Sequence, residues 1–146
     1  MKTSRLLVIT SIVFYVFYDI VSTIAAYHYL GTFEYERSTL IRAAFYAAGL
    51  PGFVSIKVIV STAAILAAYV LMERYRQFRG MGAGILAGAT CAGIFVGTSN
   101  LNILLNGSSI WLLGLDSGTV ATLIICGSSA AGLFAYALQR GTPAAG

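Results

Sequence analysis

Charge is what this 146-residue chain has least of: Asp, Glu, Lys and Arg together make up 10% of it, against about a quarter in a soluble domain. Apolar residues make up 58%, so there is too little polar side chain to clothe a water-facing surface. That excludes a freely soluble fold and makes lipid the expected solvent. In such a chain the net charge of +4 is a topology signal rather than an affinity for nucleic acid, and no nucleic-acid partner is expected. Cysteine is limited to Cys91 and Cys126, both inside apolar runs. Their spacing fits no zinc or redox motif, and both read as small buried apolar side chains. The one histidine, His28, belongs to no HExxH or similar ligand spacing. With Glu34 and Glu36 it makes a weak candidate for a divalent metal. Flanked by Tyr27 and Tyr29, it reads more readily as an amphipathic anchor. There is no nucleophile–base pair and no second mid-membrane carboxylate to work with Asp19, so neither catalysis nor a cofactor is expected, and the bound species is expected to be lipid.

What the chain does have is long apolar runs. A membrane-crossing helix needs roughly 20 mainly apolar residues, and four stretches qualify, at about 6–30, 53–72, 81–105 and 118–138. The expected fold is all-α: a polytopic membrane protein with four transmembrane helices in a single integral domain, 1–146. Between the first two spans, Ser38 to Ala48 is too short to cross but carries Arg42, Phe45 and Tyr46 among alanines. It reads as a short interfacial helix, N-capped by Ser38 or Thr39 and ended by Gly49 and Pro51. "SSIWLLGLD", between the third and fourth runs, reads as a smaller version, with Trp111 at headgroup level. The first run has the basic start of a signal peptide but is too long, too aromatic and too interrupted by Asp19 to be a cleaved one. The tail "GTPAAG" reads as short and loose.

Lys2, Arg5, Arg74, Arg76, Arg79 and Arg140 fall on one side of a four-span arrangement, and only Arg37 and Arg42 on the other. The bias puts both termini in the cytoplasm and Glu34, Glu36 and Asp116 outside. Within the spans, polar residues gather in the outer half. Asp19 lies eleven residues before Leu30, about 16 Å below the outer end at a helical rise of about 1.5 Å per residue. A charge at that depth costs about 2.5–3.5 kcal/mol. Protonation, a wet cavity or a partner would offset it. Lys57 is the expected partner, with Asn100 nearby and Asn102 in the same polar cluster. Ser22, Thr23 and Ala26 share the Asp19 helix face and make it small and polar. Such a cluster serves as a structural clamp between helices, as a site for a proton, ion or small polar ligand, or as a contact to a partner subunit.

Gly84-x-x-x-Gly88 and Gly93-x-x-x-Gly97 on the third run, and Gly127 and Gly132 on the fourth, are the expected packing positions, letting these two helices approach each other or another chain. "FYVFY", residues 14–18, looks too bulky for a close seam and is expected to face lipid. Finally, Asp19-x-x-Ser22-Thr23, Gly31-x-x-Glu34, Lys57 and Asn100 together resemble an uncharacterised family of small prokaryotic multipass membrane proteins, often archaeal, of unknown function. Glu36-Arg37 stands where that family carries Asn-Pro. The resemblance implies four membrane helices and no established activity. The functional expectation is a non-catalytic subunit that packs within a larger membrane complex or self-associates. The alternative is a small oligomeric transporter or ion pathway using Asp19, Lys57 and Asn100.

Overall fold

The computed structural model describes residues 2–36 and 38–141; Arg37 and the tail beyond Gly141 lie outside them. The described residues are mostly helical and form no strand. In order it comprises α1 (Lys2–Ser11), a π-helical segment (Ile12–Tyr18), α2 (Asp19–Leu30), α3 (Thr39–Arg74), a 3₁₀ turn (Arg76–Phe78), α4 (Arg79–Asn106) and α5 (Ser117–Gly141). Four of the resulting rods are long and apolar enough to cross a membrane: Thr3–Leu30, Thr39–Arg74, Arg76–Asn106 and Ser117–Leu138. The loops 31–38 and 107–116 share one end of the bundle, called the loop end below.

Local signals explain the helix ends. Ser38 is extended, and its hydroxyl accepts the Ile41 N–H as an N-cap. Asp116 does the same for α5, accepting the Gly118 and Thr119 N–H groups. Gly31 and Gly107 close α2 and α4 in the left-handed region. The short helix that begins at Thr39 ends, as expected, at a kink at Gly49, and the second span follows directly from it within α3. Only Gly49, at φ 63 and ψ −152, breaks the helical backbone of α3. That conformation is open essentially to glycine alone, and Pro51 sits in the first turn after the break, where a missing N–H costs least.

The central rod is α4. It packs on α1, α2 and the π segment, on α3 and, most extensively, on α5. Its glycines divide among three partners, with Gly82 set against Ala68 and Met72 of α3. Gly84 and Gly88 lie against the backbone of α5 near Ser128 and Ile125, and Gly80 and Gly132 face each other. Gly93 and Gly97 instead face the first rod, at the Phe14–Tyr15 backbone and the Tyr18 ring. So "FYVFY" is only partly outward: Phe17 is exposed, Val16 is buried, and Phe14 to Tyr18 form a seam that glycine makes thin enough to close. Gly127 meets nothing within 4 Å and takes no part in the α4–α5 contact. α5 itself packs on α4 and barely touches the other helices.

The segment expected as a second interfacial helix is not helical. Leu112 and Leu115 exchange backbone hydrogen bonds across a tight turn, with Leu113 and Gly114 at positive φ. Trp111 is exposed there.

Candidate functional site

The polar site grows out of a break in the first rod. Over Ile12–Tyr18 the helix runs in wider π turns, which change the phase of every residue that follows. Asp19 opens α2 directly after this segment, and the turn it begins carries the buried residues Ile20, Ser22, Thr23 and Ala26. On α3, Phe53, Ser61, Ile65, Ala68 and Met72 form a buried stripe at helical spacing, and Lys57 falls within that stripe. Its ammonium lies 2.6 Å from Asp19 Oδ2, with the two side chains 13% and 4% exposed.

A second side of the carboxylate is held by its own helix. The Thr23 hydroxyl donates to Asp19 Oδ1 across 3.4 Å, and the Ser22 hydroxyl to the Asp19 carbonyl at 3.0 Å. Asn100, on α4, donates to both hydroxyl oxygens, at 3.2 Å from Ser22 and 3.0 Å from Thr23. Three rods therefore meet at one buried charge. Asn102 does not join them. Two residues on from Asn100, it points round the helix to the exposed end of α4, donating to the Ser108 carbonyl and accepting from Asn106. It shapes the 107–116 loop rather than the site.

Loop residues 31–36 fold over the cluster. Phe33, 2% exposed, stacks on Phe45 with ring centroids 4.1 Å apart and meets Phe53 and Tyr27 edge-on. Each such ring pair contributes about 0.5–1.5 kcal/mol beyond its burial. The anchor brings the Tyr35 hydroxyl to 2.7 Å from the Thr23 carbonyl, to which it donates. Burial, followed by the negative charges of Glu36 and Asp19, pushes the Tyr35 pKa well above the ordinary tyrosine value, so this donor keeps its proton. The 107–116 loop is tied down by Ser99, whose hydroxyl accepts the Ile110 N–H.

Between the loops and the ion pair lies a cavity of about 820 Å³. Its floor carries Tyr15, Asp19, Thr23, Lys57, Ser61 and Asn100, and Glu34, Glu36 and Asp116 stand among the loop residues around it. Val60 of α3 and Thr122 and Ile125 of α5 also line it, where α3 and α5 make little or no direct contact. His28 is exposed, tilted against the Tyr27 ring, and does not line it. Among the described residues no three His, Cys, Asp or Glu side chains are grouped to hold a metal ion. Cys91 and Cys126 are exposed on the helix surfaces rather than buried.

Tyr15, Ser61 and Tyr35 are site residues that sequence patterning passes over. Ser61 alone left a trace, one turn beyond Lys57 on the same face. A smaller polar seam at the opposite end was passed over too: the Ser11 hydroxyl, fully buried, donates to the Leu86 carbonyl at 2.8 Å and lies 3.2 Å from Thr90 Oγ1.

No family model, curated protein or solved structure matches the chain, so the reading of the site stands on its geometry.

Proposed function

We propose that this chain is a multipass protein of the cell membrane that holds a small polar or ionic solute in a cavity open at the loop end, as a binding or translocation component without chemistry of its own. One observation carries the reading: the Asp19–Lys57 pair is not sealed between helices but forms the floor of a space of about 820 Å³ with acidic residues around it. A pair kept only as a clamp needs no such space. Intramembrane ionisable residues that face a cavity are commonly functional. The charge bias of the loops supports an orientation with both termini in the cytoplasm and the cavity facing outward. One chain encloses the space incompletely, since α5 leans chiefly on α4, and this supports a homo-oligomer as the working form. The resemblance to uncharacterised prokaryotic multipass proteins fits four spans and adds no activity.

The test has two parts. Ser61→Cys, placed on the cavity floor, reacts with a small water-soluble thiol reagent added from the loop side in a cysteine-free background. Flux of protons or small solutes into proteoliposomes is lost in Asp19→Asn. An unreactive Ser61→Cys, or flux indifferent to Asp19→Asn, ends the reading.

A second reading, an accessory subunit of a larger membrane complex, is favoured by the same isolation of α5. A helix that packs chiefly on one neighbour leaves room for a further helix from another chain beside the α3–α5 gap. Purification from native membranes in mild detergent checks it. A solitary chain of about 15.4 kDa on native electrophoresis counts against it.

A further inference from the structure

The cavity floor holds polar atoms that the fold does not use. Ser61 is 5% exposed, lines the cavity and makes no hydrogen bond among the described residues. No described side-chain oxygen or nitrogen is sealed from the surface without a partner, so the Ser61 hydroxyl opens into the cavity. Asn100, 7% exposed, is half used. The Ser22 and Thr23 protons are already given to the carbonyl and carboxylate of Asp19, so the Asn100 group facing those hydroxyls is its NH₂. Its Oδ1, an acceptor only, is left with no partner among the described residues and by the same reasoning reaches the cavity. The Tyr15 hydroxyl, also on the floor, is a third oxygen without a hydrogen bond there.

The charges around this space favour a cation. Lys57 shares the lining with the carboxylates of Asp19, Glu34 and Glu36, so one positive charge set against three negative leaves a net of −2, with Asp116 left out of the sum because it caps α5. Setting Arg37, the neighbour of Glu36 in sequence, against these still leaves −1. A cleft of one sign with low-dielectric walls concentrates the opposite charge. The feature that would attract an anion, the N-terminus of α5, is already satisfied by the Asp116 carboxylate. Lys57 itself shows that an ammonium fits beside Asp19. Resting on the binding reading above, we propose that the cavity takes the ammonium group of a primary amine, received by Ser61 Oγ, Asn100 Oδ1 and the Tyr15 hydroxyl in the field of Asp19. The amine is either a free solute entering from the loop end or the headgroup of an aminophospholipid entering between α3 and α5, where Val60 and Ile125 offer an apolar lining.

The experiment uses the full chain in phosphatidylcholine nanodiscs and reads its thermal unfolding midpoint. The probes are ethanolamine, ethylene glycol as its neutral analogue, and acetate as the anion; a second set of discs contains phosphatidylethanolamine. The proposal expects the midpoint to rise with ethanolamine or with phosphatidylethanolamine, and not with ethylene glycol or acetate. A response to ethanolamine in phosphatidylcholine discs assigns a free amine, and a response confined to the phosphatidylethanolamine discs assigns the lipid. Ser61→Ala removes an unbonded hydroxyl and folds like the parent, yet needs about tenfold more ethanolamine, or binds the lipid about tenfold more weakly by native mass spectrometry, as loss of a hydrogen bond to a charged group implies. Stabilisation by acetate alone overturns the proposal in favour of an anion on Lys57 and leaves the cavity reading standing. An equal response of parent and Ser61→Ala overturns the placement. No response to any probe overturns the ligand class, while reactivity of Ser61→Cys judges the cavity separately.

Discussion

At the scale of the residue, the Asp19–Lys57 contact is governed by an asymmetry. Removing one member of a buried ion pair costs about 3–5 kcal/mol, whereas replacing both by neutral groups of similar volume is often close to neutral. Lys57 has a long flexible stem eight residues past the Gly49 break, and can carry its ammonium outward if deserted. Asp19 is short, 3% exposed and about 16 Å from the end of α2, so it cannot. We therefore expect Lys57→Met to lower stability more than Asp19→Asn, with the double variant recovering most of the loss, in denaturation followed by circular dichroism. A double variant as unstable as Lys57→Met would mean that the partners act independently. Tyr35 supplies a pH prediction. Its pKa is raised in the fold, so the folded state keeps a proton that the unfolded chain releases near pH 10. The stabilising contribution is complete below that value and falls as pH climbs past it. Tyr35→Phe removes the hydroxyl that donates to the Thr23 carbonyl, and should flatten the alkaline arm of a stability–pH curve measured between about pH 9 and 11. An unchanged arm would rule out Tyr35 as its source.

At the scale of the element, the glycines of α4 and α5 are separated by what each one faces. A side chain at Gly93 would run into the Phe14 carbonyl and the Tyr15 backbone, which cannot move without opening the π segment. A side chain at Gly127 would meet open space. Gly93→Leu is expected to cost about 1–3 kcal/mol or more and Gly127→Leu less than about 0.5 kcal/mol, measured on the isolated chain in detergent. If Gly127→Leu disrupts the protein in native membranes but not in isolation, that face of α5 has a partner. Gly49→Ala asks a Cβ-bearing residue to take up a backbone angle that only glycine tolerates, at about 1–3 kcal/mol. The angle between the Thr39–Ala48 segment and the rest of α3 depends on it, and with it the docking of Phe45 on Phe33.

At the scale of the whole molecule, the proposal places one end of the bundle outside the cell. In a background lacking Cys91 and Cys126, Thr32→Cys and Ser109→Cys should react with a membrane-impermeant maleimide on intact cells, and Gln77→Cys only after lysis. The reverse pattern inverts the topology and turns the cavity toward the cytoplasm. Of the three rods packed on the central α4, α5 is attached on one side only, so the α3–α5 gap is where the assembly is least constrained. A crosslink across it, between Val60→Cys and Thr122→Cys, should block passage of solute without unfolding the chain. Unimpeded flux through the crosslinked protein would place the route elsewhere.

The helices were legible because apolar run length is a one-dimensional property, and a chain with this little charge leaves few other ways to place its backbone polar groups. The Asp19–Lys57 contact and the Asn100 approach were legible for a related reason: a costly charge at known depth restricts its partner to the few polar residues that reach that depth. Ser38 as a cap and Gly49 as a break followed from local backbone chemistry. Asn102 was misplaced because depth says nothing of azimuth, and two residues turn a helix through about 200°. The partners of Gly93 and Gly127 depend on which rod lies on which side of α4. The π turns before Asp19 and the cavity above it arise only when separate rods are brought together. Neither has a local signature, since both are properties of the space between elements that lie far apart along the chain.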